Sequence, residues 1–580
     1  MTPILILWIA VLSLLPLTSP AHAKTAGRER EYSQSDPALQ HSIQSSLGRL
    51  ARMNAGPDRA SITLHMQRFY AALGYRTAWT NRAAVSRLIE VIEDSANDGL
   101  LPSDYHLAEI RKFNENPPES PERRARADIL MTDAVFTLLS HMRSGKVYPQ
   151  SAEPSWNLST PLPPSDYDRL LMSAVMGSRF PEIIQSLRPP SSEYSQLRKA
   201  LARYRKIAAD GGWKSVPTGP RIERVGAVDS RMPAFRRRLV ISGDLGPEYA
   251  SVDEGPLANV SDSTLAADSL HASAADRKLV YSQELFTAVE AFQKRHGITA
   301  DGIIGNETIA AMNVPVADRI DQIRVNLERY RWYLSNRGST YIAVNIPSFT
   351  IDVVFNKVHR WSSRVIVGKP DLQTPIFRAE MQYLILNPHW VIPPGILVKE
   401  AIPGIAKDLS YLSKRKLAVM NDKGEIINPS SINWSKYISG GFPYRLVQAS
   451  GDEGSLGTIK FMMPNRFTVY LHDTPSKELF ERTRRAFSHG CVRVDQPLDL
   501  AELVMKDHAK WSASKIQDAI DTGKTRTVML PEKIPVFFLY MTAFADGDQV
   551  EFRNDLYDKD EVLLRALDGP ASSRHVADVL

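Results

Sequence analysis

The sequence predicts a multidomain chain: an α-helical scaffold, a small three-helix unit, and a mostly-β domain with an inserted lid. Three observations predict it. Apolar residues recur at helical spacing from about Gln34 to Lys214. A compact, glycine-punctuated turn near Asp301 lies between two further helical patterns. After Gly338 the period falls to two, as half-buried strands require. At 580 residues the chain is long enough for several separate cores.

The first residues carry an apolar run, Ile4 to Leu15, followed by Ala21-His22-Ala23-Lys24. Secretory length and a small-x-small cleavage site predict a signal peptide over 1–23, although no Lys or Arg precedes the apolar run. An uncleaved membrane anchor is the alternative. No later stretch approaches about 18 uninterrupted apolar residues, so no transmembrane span is expected in the mature chain. The formal net charge of +6 suits an acidic polymer such as cell wall, or simply a solvated surface. Basic runs such as Arg236-Arg237-Arg238 are short and belong to no nucleic-acid motif. A single cysteine excludes an internal disulfide framework.

In the scaffold, Ile62, Met66, Phe69 and Leu73 share one helical face, and Val85, Leu88, Ile89 and Ile92 share another. A third helix is expected from Arg124 to Met142. Ser, Ala, Asp and Gly then dominate from about Pro247 to Ala275, which predicts an exposed mobile loop. Leu285, Val289 and Phe292 mark the next helix, and Gly297 to Gly305 makes a tight turn. Asn306 can cap a helix carrying Ile309 and Met312. Ala317 to Leu334 reads as one long helix that can return to the scaffold.

Strands are expected at Tyr341 to Ile346, Ile351 to Phe355, Arg364 to Gly368 and Met381 to Leu386. The pattern is irregular from about Gly395 to Val447, where an insertion can cover a site. Alternation resumes over Arg466 to His472, with Phe467, Val469 and Leu471 on one face and Thr468, Tyr470 and His472 on the other. Ser488-His489-Gly490-Cys491-Val492-Arg493 follows, and Asp495 can cap a helix bearing Leu500, Leu503 and Val504.

These last two stretches hold the chemistry. A thiol attacks as its thiolate, and a free Cys is mostly protonated at neutral pH. A nearby imidazole can take that proton. Gly490 lets backbone approach a ligand closely, and its N–H with that of Cys491 can form an oxyanion hole. Arg493 can meet a substrate carboxylate with its planar fork. Other readings compete: Cys491 as a small buried hydrophobe, or His472, His489 and Cys491 as zinc ligands, which no CxxC pairing supports. His489 suits a structural role, holding the loop through backbone hydrogen bonds.

His472, a gap, and Ser488-His489-Gly490-Cys491-Val492-Arg493 resemble the signature of bacterial L,D-transpeptidases. Asn387-Pro388-His389-Trp390 and Tyr470-Leu471-His472-Asp473-Thr474-Pro475 resemble the large Gram-negative members. The turn G-x-x-x-D-G-x-x-G resembles the small three-helix peptidoglycan-binding domain. After the signal peptide read over 1–23, the resemblance implies a helical scaffold over 24–230 and a peptidoglycan-binding-like domain over 231–315. A connecting helix over 316–339, a catalytic domain over 340–558 with its lid at about 395–447, and a tail over 559–580 complete it.

For the site, the resemblance implies Cys491 as nucleophile and His472 as general base, oriented by the carbonyl of Asp473. Ser488 and His489 shape the loop, Gly490 and Cys491 donate to the oxyanion, and Arg493 supports the site. Tyr470, Trp390 and Asn387 are expected to contact substrate; no cofactor and no metal is expected. The implied reaction forms a Cys thioester with a peptidoglycan stem peptide, releases D-Ala, and passes the acyl group to a second stem to give a 3→3 cross-link. Water as acceptor gives carboxypeptidase activity, and carbapenems acylate such thiols. The implied place is the periplasm, and glycan polymerases and D,D-carboxypeptidases are implied partners. A non-catalytic wall-binding protein, or the same chemistry attaching a lipoprotein to the wall, are the alternatives.

Overall fold

The computed structural model describes residues 36–580 apart from 53–56, 159–163, 177–178, 251–277, 335–336, 452, 507 and 572–573. The expected signal peptide and most of the expected mobile loop lie outside the described residues.

The scaffold is helical, as its apolar spacing requires. Its central helix, Pro121–Ser144, starts at Ser120, whose side chain accepts from the Arg123 N–H. It is buried on nearly every side, packing Phe136 against Phe69 edge to face. Such depth would strand polar groups, so they are paired. Asp128 accepts from the Tyr70 hydroxyl at 2.6 Å and from the backbone N–H groups of Ala78 and Trp79 at 3.0 Å.

The small unit packs helices Met232–Ser242, Gln283–Arg295 and Asn306–Asn313 around Phe235, Leu285 and Phe292. Gln293 organises its turn. The amide donates to Asp301 Oδ1, Ile303 O and Thr308 Oγ1, and its oxygen accepts from the N–H groups of Asp301 and Gly302. Gly305, not Asn306, occupies the N-cap of the third helix; Asn306 is already its first helical residue.

The apolar face of the helix Val316–Leu334 does not enter the scaffold cluster around Phe136; Ile323, Leu327 and Tyr330 join Leu197, Val344 and Val536 in the core of the last domain, and the helix meets the scaffold through polar contacts. Its Arg331 donates to Asp98 O and Tyr194 Oη at 2.8 and 2.9 Å. The segment expected as a tail is folded instead. Its helix Asp560–Asp568 packs on Val316–Leu334 through the Arg329–Asp560 pair at 2.5 Å, and Val576 of the helix Arg574–Val579 enters the scaffold core.

Among the described residues the last domain is built on fourteen strands. They are β1 (Tyr341–Asn345), β2 (Thr350–Phe355), β3 (Val358–Gly368), β4 (Arg378–Leu386), β5 (Trp390–Val391), β6 (Leu417–Met420) and β7 (Arg445–Gln448). They continue as β8 (Ile459–Met462), β9 (Leu471–His472), β10 (Ala486–Ser488), β11 (Val492–Val494), β12 (Arg526–Leu539), β13 (Ala543–Asp546) and β14 (Gln549–Phe552). Nine of them pair in the order β10-β3-β11-β9-β8-β4-β12-β1-β2, and a β2–β3 pairing closes the ladder on itself. The lid forms a separate three-stranded sheet, β5-β7-β6, over its own apolar cluster of Ile402, Ile405, Val419, Trp434 and Leu446.

The small unit is docked on the β13–β14 hairpin. Arg295 donates to Val550 O at 3.0 Å, Arg553 donates to Arg295 O at 3.1 Å, and His296 stacks on both Phe292 and Phe552. Among the described residues no helix is long and apolar enough to cross a membrane.

Candidate active site

The strand expected over Arg466 to His472 is regular only at Leu471–His472. Asn465 causes the break. Its side-chain oxygen accepts from the N–H groups of Phe467 and Val469, and its amide donates to Met463 O and Val469 O. Those bonds replace ladder partners and bend the chain, with Thr468 in the left-handed region at φ +55°.

The short β9 still decides the geometry. It runs parallel to β11 with Leu471 opposite Val492 and His472 opposite Arg493. Leu471 and Val492 are both 0% exposed and point into the core. Alternation therefore sends Tyr470, His472, Cys491 and Arg493 to the other face together. The Val492 N–H donates to Tyr470 O at 3.1 Å, which places Cys491 beside Tyr470.

His472 is buried, and its Nδ1 sits 2.5 Å from Asp473 O. A carbonyl only accepts, so Nδ1 carries the proton and Nε2 keeps a free lone pair. Burial, with the Arg493 charge beside it, pushes the imidazole pKa down to about 3, leaving it neutral and basic in form at physiological pH. Asp473 is itself fixed. Its carboxylate accepts from Thr458 N–H and Oγ1 at 2.9 and 3.0 Å, from Thr474 N–H at 2.7 Å, and from Lys477.

Cys491 is half-buried, and burial pushes its thiol pKa up. Hydrogen bonds from the Tyr470 backbone N–H and hydroxyl oppose that, as do the charges of Lys460 and Arg493. The thiol also lies 3.9 Å from Thr468 O. Among the described residues its hydrogen-bonding partners are Thr468 and Tyr470, not His472. At rest the pair is therefore a thiol and a neutral imidazole rather than an ion pair. Burial pushes the Tyr470 hydroxyl up, keeping it a donor to Cys491, and the Trp390 side chain hydrogen-bonds to it.

Ser488 clamps the loop: its hydroxyl accepts from Gly490 N–H at 3.1 Å and donates to Cys491 O at 2.5 Å. The Gly490 N–H is thus engaged within the loop, which corrects its expected role as an oxyanion donor. Gly490 itself adopts φ +109°, and a Cβ there would stand 3.3 Å from Gln373 O. His489 does not hold the loop through backbone bonds as expected. Its Nε2 reaches Glu400 Oε1 at 2.7 Å, on the short π-helical turn Leu397–Ala401 of the lid. Arg493 shares the face of His472 and Cys491, and among the described residues its buried Nε has no hydrogen-bond partner.

Asn387 does not face a ligand. It is buried, donates to Ile520 O and Lys524 O at 2.8 and 3.3 Å, and its own carbonyl accepts from Thr525 Oγ1 at 2.6 Å. Its left-handed φ of +47° suits Asn better than most residues and turns the chain toward the lid. Asp495, expected to cap the next helix, instead pairs with Arg364 at 2.8 Å, and Gln496 takes the N-cap.

Sequence reasoning missed Lys460, opposite His472 in the β8–β9 ladder, with Nζ 3.8 Å from the Tyr470 ring centre. Alternation of Ile459 and Phe461 with Lys460 and Met462 was the available signal. Among the described residues no group of three or more His, Cys, Asp or Glu side chains gathers to hold a metal ion.

Residues 339–530 match the model of the L,D-transpeptidase catalytic domain. Residues 65–201 match a scaffold domain, and 269–312 match a domain described as "Putative peptidoglycan binding domain". A Haemophilus influenzae protein described as "Putative L,D-transpeptidase" is 34% identical over 219 residues, which cover 38% of this chain and 44% of that protein. The match thus spans less than half of that relative. A solved L,D-transpeptidase from Mycobacterium smegmatis overlaps 35% of this chain and 58% of its own, at 13% identity and a TM-score of 0.18, too loosely to carry an argument.

Proposed function

We propose that this chain, which carries an L,D-transpeptidase catalytic domain beside a peptidoglycan-binding one, is a cell-wall enzyme forming 3→3 cross-links between stem peptides. The carrying observation is the parallel β9–β11 register, which gathers Tyr470, His472, Cys491 and Arg493 on one face with His472 Nδ1 tied to Asp473 O.

Each group has one task. Substrate entry brings the thiol to His472, whose Nε2 takes the proton as Sγ attacks the carbonyl of the third stem residue. The oxyanion forms against the Cys491 N–H. Lys460 and Arg493 are the cations that favour negative charge at this site. The C–N bond to D-Ala breaks, His472 returns its proton to that nitrogen, and a thioester remains. An amine of a second stem then loses its proton to His472, attacks the thioester and releases the thiol. Water in place of the amine gives carboxypeptidase activity. Burial that keeps His472 neutral supports this concerted use of a base over a resting thiolate.

The substrate implies export to the periplasm, with the first 23 residues removed as a signal peptide. Attachment of a lipoprotein would use the same acyl-enzyme and a different amine. The test is dimer formation from purified muropeptides. Wild type yields 3→3 dimers and Cys491→Ala none; equal yields from both would overturn the proposal.

A further inference from the structure

The loop bearing Cys491 is supported from behind by the turn between β3 and β4. Thr374, in that turn, is 0% exposed. Its hydroxyl accepts from Gly368 N–H at 2.9 Å and donates to Gly490 O at 2.9 Å. The directions are forced, since an amide must donate and a carbonyl must accept. A second hydroxyl, of Tyr557, accepts from Thr374 N–H at 3.2 Å and donates to Gly368 O at 2.7 Å. Gly368 leaves no room for a side chain: a Cβ there would lie 2.1 Å from Leu372 O.

From this geometry we infer that Thr374 is a positioning residue for the oxyanion site. It fixes the Gly490–Cys491 peptide so that the Cys491 N–H is presented to the reacting carbonyl. The inference rests on the reading of Cys491 as the acylated nucleophile.

The peptide bond is planar and trans, so the Gly490 carbonyl and the Cys491 N–H point in opposite directions. Thr374 draws the carbonyl inward; the N–H is thereby turned away from the interior. Ser488 holds the groups on either side, binding Gly490 N–H and Cys491 O. Two hydroxyls thus engage three of the four backbone polar groups of Gly490 and Cys491, and among the described residues the Cys491 N–H is left as the donor. Gly490, at φ +109°, has no side chain to resist a flip of this peptide. The hydroxyl of Thr374 is what restrains it. A donor stabilises a developing oxyanion only if it is already aimed where the charge appears.

The test compares two reactions at the chain's only cysteine. Acylation by a carbapenem forms the Sγ–carbonyl bond, breaks the ring C–N bond and returns the thiol proton to that nitrogen. It needs the oxyanion donor. Alkylation by iodoacetamide displaces iodide at a saturated carbon and needs only the thiol. Both are followed by intact mass.

Thr374→Val is expected to slow acylation by about 10- to 100-fold, with alkylation within about twofold of wild type. Thr374→Ser, which keeps the hydroxyl, is expected to recover acylation to within about threefold. Wild-type acylation in Thr374→Val, or parallel loss of both reactions, overturns the inference.

If Thr374→Val alkylates like urea-unfolded protein, Tyr557→Phe decides. It is expected to lose about three- to tenfold in acylation with native alkylation, and unchanged acylation there also overturns the inference. A wild-type chain that alkylates but never acylates would instead sink the transpeptidase reading.

Discussion

Replacing Tyr470 by Phe removes one hydroxyl from the centre of the site. That hydroxyl donates to Cys491 and is itself hydrogen-bonded by Trp390 from the lid. The Tyr470 backbone N–H remains as a second donor to the sulfur. A hydrogen bond to a charged acceptor contributes about 1.5–3 kcal/mol. At 1.36 kcal/mol per pKa unit, its loss raises the thiol pKa by about 1–2 units. Burial has already raised that pKa, so at pH 8 the thiolate is a minor species in both proteins. Its fraction, and with it the alkylation rate, should fall about 10- to 100-fold. The assay is iodoacetamide alkylation against pH, followed by intact mass. The rising limb should move to higher pH while the slope is kept. Superimposable curves would refute the claim that Tyr470 stabilises the thiolate. Trp390→Phe should shift the same limb in the same direction by less, because it only weakens the donor.

Three further outcomes are expected. Glu400→Gln removes the charge facing His489; a pair this exposed contributes about 0.2–1 kcal/mol, so hydrogen exchange of 397–407 should quicken by no more than about fivefold. Protection lost across the whole domain would show that the contact does more than hold the lid. His472 is neutral in the fold with a pKa of about 3 against about 6.5 unfolded, so the unfolded state binds the extra proton and stability falls as pH drops below 6.5. Between pH 7 and 5 that costs about 2 kcal/mol, and in urea titrations His472→Gln should lose about that much less than wild type. Lys146 joins Asp104 at 2.6 Å and the carbonyls of Leu567 and Gly569. Lys146→Met removes the cation from this buried pair and should cost about 3–5 kcal/mol, read as a lowered urea midpoint; an unchanged midpoint would mean the C-terminal helices need no such clasp.

Long-period features were legible in the sequence. The scaffold helices and the strands at Ile342, Val353 and Leu384 follow from apolar spacing, because burial imposes that spacing. The face shared by Tyr470 and His472 was also legible, since alternation needs no knowledge of the partner strand. What could not be read was which partner each polar group would find. Asn465 turning on its own backbone, Asp495 choosing Arg364 over a helix end, and His489 reaching Glu400 in the lid are all choices made in three dimensions. The 14-residue β12 went unseen because Pro531, Glu532 and Lys533 interrupt its pattern, and its register shifts between Met529 and Ile534. Thr374 and Tyr557 gave no local signal at all; their hydroxyls matter only because β3, β11 and the segment after β14 converge.

The central claim is that the Cys491 thiol takes an acyl group from a stem peptide and expels the terminal D-Ala. Intact-mass analysis of the full chain with a tetrapeptide donor tests it most directly. The account predicts an adduct equal to the donor less D-Ala, located on Cys491 and released by hydroxylamine as a thioester. An adduct that retains D-Ala, or the same adduct on Cys491→Ala protein, would contradict it.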